Sequence, residues 1–171
     1  MTYGEAKKRV LQLMDEVNPK ADLTEKLPLF FDMGQKEVAR YYPIWRTAVY
    51  TEDTPRALPA DCWEPGEIVV DGRVLALWDR MAKFDGLPEA FDLHYKAWPA
   101  AVTEGTEEGT EMDTPEEAML AVLYFVAAKC QEMEYDQRYF QNFFSEYQGQ
   151  LANLAALAQG VAVVEPPEWT I

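Results

Sequence analysis

Histidine is almost missing from this sequence: His94 is its single copy, and cysteine occurs only at positions 62 and 130. That scarcity excludes most chemistry built on imidazole or thiolate. No H-x-H, H-E-x-x-H or C-x-x-C spacing is present, so no set of donors converges by sequence on a transition metal. A nucleophilic triad has almost nothing to draw on, and the nucleophile-elbow, Walker and dinucleotide glycine patterns are all absent. A pair of carboxylates is the one acid–base device these counts leave open. Cys62 and Cys130, far apart and without ligand spacing, read as reduced, partly buried thiols of a reducing compartment.

Positive charge is scarce as well. Fifteen Lys and Arg face thirty Asp and Glu, a net charge of −15. Binding to a nucleic-acid backbone needs clustered bases, so specific nucleic-acid binding is not expected. The imbalance is uneven: residues 1–103 hold 17 acids and 13 bases, net −4, and residues 104–171 hold 13 acids and 2 bases, net −11. One strongly negative surface follows. Long apolar runs are also lacking. Ala118 to Ala128 is too short for a bilayer, and the VLQLM after Lys7-Lys8-Arg9 is too short for a signal peptide, so no membrane partner is expected.

What is present is apolar and aromatic: 49% of residues are hydrophobic and 13% aromatic, enough for a packed core in one domain. Thr2-Tyr3-Gly4-Glu5 is a capping box, and Tyr3, Ala6, Val10, Leu13 and Val17 repeat at helical spacing until Asn18-Pro19. A second helix starts near Asp22–Thr24, with Leu27, Phe30, Gly34, Val38 and Tyr41 inward and Pro43 at its end. From about 46 to 103, prolines and glycines break any helix. Two β-branched runs flank Asp71-Gly72, a strong hairpin signal, and Phe91, Leu93, Tyr95 and Ala97 alternate with polar residues as a half-exposed strand. Thr114-Pro115-Glu116-Glu117 reads as an N-cap, a first-turn proline and a third-position glutamate ahead of the all-round apolar AMLAVLYFVAAKC. A last helix runs from about Asp136 with the stripe Phe140, Phe143, Tyr147, Leu151, Leu154 and Ala158, and Gly160 as its C-cap.

The expected fold is mainly α with a β insertion, an α+β chain. A four-helix core joins residues 1–45 to 114–160, with a small antiparallel β element at 46–103, an acidic link at 104–113 and an extended tail at 161–171. The insertion is expected to be too short and too interrupted to hold a core alone.

Three features invite a functional reading. His94 lies on a strand with Asp92 and Lys96 two residues away, so Asp92 can pair with it, yet the simpler reading is an exposed structural histidine. The acids Glu104, Glu107, Glu108 and Glu111 lie among glycines and threonines without the register of a calcium loop, which marks a solvated link and an acidic surface. Its last acids sit at a helix N-terminus, where the macrodipole favours them. The five tryptophans lie in the insertion, at its edges or in the tail. They either cover the β element or anchor an interface; Trp78, Trp98 and Trp169 are the interface candidates.

The order of these elements carries a resemblance. GEAKKRVLQLMDE and then LPLFFDMGQKEVARYY resemble the paired N-terminal helices of head–tail connector, or adaptor, proteins encoded in prophages of Gram-positive bacteria, whose second helix reads L-F-D-x-A-Q-K-E-[IV]-A. LPADCWEPGEIVVDG resembles their first strand pair. DLHYKAWPAAVTEGTEEGTEMDTPEEAMLAVLYFVAAKC resembles their Y-x-x-x-P strand end, acidic link and buried Ala-rich helix, and YFQNFFSEYQGQLANL resembles their closing helix. Gly34 departs from the usual alanine, and Pro43 interrupts a helix that normally continues. The resemblance implies a virion structural protein without cofactor or enzymatic activity. Its partners are further copies of itself in a ring, the portal and tail proteins. Its location is the host cytoplasm during assembly and then the virion. Two other classes remain: an acidic binding module that mimics DNA, and a metal-assisted hydrolase using His94 and nearby acids.

Overall fold

The computed structural model describes residues 1–16, 19–77, 84, 86–134 and 136–158. The elements run in the order α1 (Tyr3–Leu13), α2 (Ala21–Ala39), β1 (Ile44–Tyr50), β2 (Cys62–Val70), β3 (Arg73–Leu77), β4 (Phe91–Ala97), α3 (Glu116–Met133) and α4 (Gln137–Ala158). The fold is α+β, as expected; among the described residues it has four helices and an antiparallel sheet of four strands.

Local chemistry explains most element ends. The Thr2 hydroxyl accepts the Glu5 amide at 3.2 Å while the Glu5 carboxylate accepts the Thr2 amide at 3.0 Å, the reciprocal capping box that starts α1. That helix stops earlier than Asn18-Pro19, because Asp15 turns to φ 57° just after Met14, a left-handed conformation Asp tolerates. Val17 and Asn18 lie outside the described residues. On α2 the buried side is Leu23, Leu27, Phe31, Gly34, Gln35 and Val38, with Phe30 half-buried against the same cluster, and Tyr41, past the helix end, is exposed. The Asp136 carboxylate caps α4 by accepting the Tyr139 amide at 3.3 Å. Its stripe is as expected, with Tyr147 and Leu154 buried and Phe140 and Phe143 half-buried. Gly160 and the tail lie outside the described residues.

The start of α3 differs from expectation. The helix begins at Glu116 with Pro115 as cap and no side-chain capping bond. Thr114 is buried, and its hydroxyl has no hydrogen-bond partner. The dihedral restriction of Pro115 sets the helix entry, and the threonine oxygen points elsewhere.

The helices gather on α3. Tyr3 and Phe31 meet edge to face, with centroids 5.4 Å apart, and Phe125 meets Tyr147 likewise at 5.4 Å. One cluster unites the inner sides of all four helices. The sheet, in the order β1-β4-β2-β3, has a second and separate cluster of Tyr50, Ile68, Phe91, Leu93, Tyr95 and Ala97. This corrects the expectation that the insertion holds no core. Stacked aromatics (Tyr50 on Phe91, 4.6 Å, 12°) supply in few residues the apolar area that longer strands would otherwise provide.

Two sheet details matter below. Asp71 (φ 50°) and Gly72 (φ 74°) form the two-residue turn between β2 and β3, since both central residues of that turn need positive φ. Irregularities in β2 fall between Cys62 and Glu64 and between Pro65 and Ile68. Proline donates no ladder bond and so sits where pairing is already broken. At Gly66 the β4 backbone comes so close that a Cβ would lie 2.9 Å from the His94 carbonyl oxygen.

Candidate functional site

The sheet's two faces are unlike. One covers the aromatic cluster. On the other, cross-strand register sets Trp45 beside Lys96 and Glu64, Thr47 beside His94, and Val49, Asp92, Val69 and Val74 in one row. Trp45 is 59% exposed, Val49 64% and Val74 57%. Residues of this size and apolarity on one continuous strand surface are what an interface uses for its anchors, while scattered single apolar residues mean nothing.

Charged groups are interleaved with them. Lys96 donates to Glu64 at 2.8 Å and lies over the Trp45 ring at 5.6 Å and the Trp63 ring at 5.3 Å. His94 has its Nδ1 3.8 Å from a Glu67 oxygen, so its carboxylate neighbour is on the adjacent strand instead of Asp92 two residues away. A shallow cleft of about 450 Å³ lies here, lined by Trp45, Arg46, Thr47, Glu67 and His94. Among the described residues no three His, Cys, Asp or Glu side chains converge to hold a metal ion. No described helix is long and apolar enough to cross a membrane.

Of the three tryptophans singled out by sequence, only Trp98 falls within the described residues; Trp78 and Trp169 lie outside them. Trp98 is half-buried where the sheet meets the helices. It stacks on Trp63 (5.3 Å, 30°), carries the Arg40 guanidinium 5.9 Å above its ring, and donates its amide to the Asp61 carbonyl at 2.7 Å. Trp63 reaches it because this residue is unpaired in the irregularity between Cys62 and Glu64. Among the described residues the exposed tryptophan is Trp45, which sequence reasoning did not separate from the other four. Strand alternation could have found it, since Trp45 opposes the inward Ile44 and Arg46.

Arg46 is the polar tie between sheet and helices. Its guanidinium donates to Asp61 and, at 2.8 Å, to Asp113. Asp113 also accepts the Ala100 amide at 2.7 Å, and Tyr95 donates its hydroxyl to Asp61 at 3.2 Å. Burial works against the charge of Arg46, and its two carboxylates outweigh that, so its pKa is raised. Tyr95 is also pushed up, by burial first and then by Asp61. Around this tie opens a cleft of about 780 Å³ lined by Lys36, Asp61, Trp98 and Pro99 among others. Gln35, fully buried, donates to the Ala100 carbonyl, and the Asp32 carboxylate accepts the Val102 amide at 3.2 Å. The Arg46–Asp113, Gln35–Ala100 and Val102–Asp32 bonds fasten residues 98–113 to β1 and α2.

The acidic link is less free than its composition implies. Glu104 and Glu107 are exposed. Beyond them the backbone lies across the first turn of α1: the Tyr3 amide donates to the Thr110 carbonyl at 2.9 Å and the Gly4 amide to the Glu108 carbonyl at 2.8 Å. Helix amides left without intrahelical partners are thereby satisfied. Glu108 pairs with Lys7 at 3.0 Å and Glu111 with the Met1 ammonium at 3.0 Å. So this stretch is a docked cover for α1 and only partly a solvated link. Its acids reach the N-terminal end of a helix 100 residues away in sequence, while Glu116 and Glu117 supply the acids in the first turn of α3, and Glu108 adds to the burial that raises the Tyr3 phenol to about 12.

Fold and surface together define an α+β protein with a polar-tied sheet that exposes an apolar face. No family model matches the chain, and no curated protein matches it.

Proposed function

We propose that this chain is a non-enzymatic assembly protein, a head–tail connector that forms a ring between portal and tail in a tailed phage. The observation that carries the reading is the outward face of the sheet, where Trp45, Val49 and Val74 stand exposed on a rigid strand scaffold outside the helical core. A surface of that kind suits a neighbouring subunit, with Lys96, Glu64, Glu67 and His94 setting register through their charges. The helices supply a rigid body, and the net charge of −15 suits a ring through which DNA passes, because like charge keeps phosphates from adhering. The residue pattern of the two helical pairs supports the same reading.

The acidic DNA-mimic alternative needs carboxylates spaced along one rigid face. Here Glu108 and Glu111 are neutralised by Lys7 and the terminal ammonium, and Glu104 and Glu107 project from a turn of threonines and glycines. Cryo-EM of particles produced from the genome that encodes this chain tests the proposal. The expected result is a ring directly below the portal that accepts the four helices and the sheet. A fully resolved neck without density for this chain overturns it.

A further inference from the structure

The sheet has two edges, and they are built differently. Edge β3 is interrupted: Val74 pairs with Val69 and Ala76 with Ile68, so Leu75 stands between them without a cross-strand partner. An irregularity of that kind blunts an edge. Edge β1 has no such device. All seven of its residues pair with β4 in unbroken register, and among the described residues no strand lies on its other side. Pro43 stands before the strand and not in it, and Arg46, the single charge, is engaged by Asp61 and Asp113. A straight edge whose one charge is neutralised keeps a row of backbone amides and carbonyls ready for another strand.

The residues of β1 also suit a partner identical to itself. Two antiparallel copies related by a two-fold axis normal to the sheet keep their outward and inward sides. Residues that face each other must then both be odd or both be even. The register that uses the whole strand puts Thr47 opposite itself. It sets Trp45, 59% exposed, against Val49 of the second copy, 64% exposed, and does so on both sides of the axis. Aromatic and β-branched residues make one of the stabilising cross-strand pairs. On the inward side Ile44 meets Tyr50 and Arg46 meets Ala48, so no like charges are opposed. A register centred on Arg46 would set two guanidiniums face to face.

Charge selects the same surface. Two copies of a chain with a net charge of −15 repel each other, yet from Val38 to Thr51 there is no acid and there are two arginines. The antiparallel register carries Glu52 and Asp53 of one copy to the end of the pair where the other's Arg40, with a side chain 62% exposed, precedes the strand.

We propose that the free edge of β1 takes β1 of a second copy, antiparallel about Thr47, so that the two four-stranded sheets join edge to edge. The pair would share about six to eight backbone hydrogen bonds, whichever of the two alternate sets of amides and carbonyls points outward. Two short strands make a small interface, so the dimer forms at micromolar and not at nanomolar concentration. A two-fold pair closes on itself and adds no third copy, so it is a state of the free chain and does not rest on the connector reading.

Sedimentation velocity and hydrogen exchange on the full chain, at about 2 and about 200 μM, test it. The mass is expected to double at the higher concentration while exchange across 44–50 slows by roughly tenfold or more and exchange across α3 stays unchanged. Thr47 is exposed, so a charge placed there enters no core. Thr47→Lys and Thr47→Glu each set like charges face to face across the axis and should each weaken dimerisation by roughly tenfold, with the thermal midpoint of the parent monomer retained. Mixed in equal amounts, the two variants oppose unlike charges, and the doubled mass should return. A chain that stays monomeric at the higher concentration overturns the proposal. So does a dimer indifferent to both substitutions, or variants that pair no better mixed than alone. Protection of 44–50 that is already complete in the monomer overturns it too, by giving the edge to a segment of the same chain.

Discussion

Thr114→Val reports directly on how α3 begins. A threonine hydroxyl that caps a helix is worth about 1 kcal/mol, and its loss to valine destabilises by that amount. The structure shows the opposite situation: Thr114 is 6% exposed, its oxygen has no partner, and Pro115 occupies the cap. A buried hydroxyl without a bond carries a penalty of about 1–3 kcal/mol. Valine keeps the shape and the β-branching, and like threonine it favours the extended backbone required before proline. Removing the penalty and burying a methyl should therefore stabilise the protein by about 1–2 kcal/mol. The two accounts differ in sign and are separated by roughly 2–3 kcal/mol, well above the error of urea unfolding followed by tryptophan fluorescence. For a domain of this size the melting temperature should rise by about 2–4 °C per kcal/mol. Thr114→Ser is the control: it keeps the hydroxyl, loses a methyl, and should cost about 1 kcal/mol, whereas serine would replace threonine without loss at a true cap. A valine variant less stable than the parent by about 0.5 kcal/mol or more, with an unchanged denaturant slope, refutes the reasoning.

Gly4→Ala tests the docking of the acidic link. Alanine is the better helix former by about 1 kcal/mol, yet its Cβ would meet Glu108 Cβ at 2.9 Å, so a net loss of about 1–2 kcal/mol in chemical unfolding is expected. Arg46→Met leaves Asp61 and Asp113 facing each other without their shared cation. The three side chains are about one-third exposed, so a loss of about 2 kcal/mol is expected, shrinking in about 1 M salt where the parent tie is screened. Cys130 yields a pH dependence. Burial first, and then Glu134, lift its thiol from 9.0 to about 12, so between those values the unfolded chain releases a proton that the folded chain retains. The stabilisation is complete below pH 9 and is lost as pH rises toward 12, by up to about 1.4 kcal/mol per pH unit. Urea midpoints for the parent and Cys130→Ala should converge over that range, and parallel pH profiles would count against it. Trp45→Ser, on the open face, should leave the unfolding midpoint within about 0.5 kcal/mol, and the connector proposal requires that it weaken ring assembly with the portal, read by negative-stain microscopy.

Where the determinants are local, sequence and structure agree. The capping box of α1 needs only Thr2 and Glu5, the hairpin only Asp71 and Gly72, and the stripe of α4 only a period of 3.6 residues. Disagreements arise where two positions compete on local grounds alone. Phe30 and Phe31 both suit the inner side of α2; both reach the core, and packing against Tyr3 makes Phe31 the fully buried one. Asp15 and Asn18 both can end α1, and the backbone turns at the first. At the candidate surface, strand alternation locates Trp45, but the special standing of Trp98 comes from Trp63 and Arg40, which only three-dimensional neighbours reveal.

The sequence by itself determined four helices, one tight hairpin, the alternating strand with His94 on its outward side, and a chain whose charge is concentrated after residue 103. Each follows from periodicity, turn chemistry or counting, which involve residues close together in the chain. Tertiary structure alone decided the order β1-β4-β2-β3, the sheet's own aromatic cluster, the Arg46 tie, and the seating of the acidic stretch on the first turn of α1. Those outcomes depend on which distant backbone amides and carbonyls lack partners after the local structure has formed, and a carbonyl of Glu108 has no way to announce, in sequence, that it will meet the amide of Gly4.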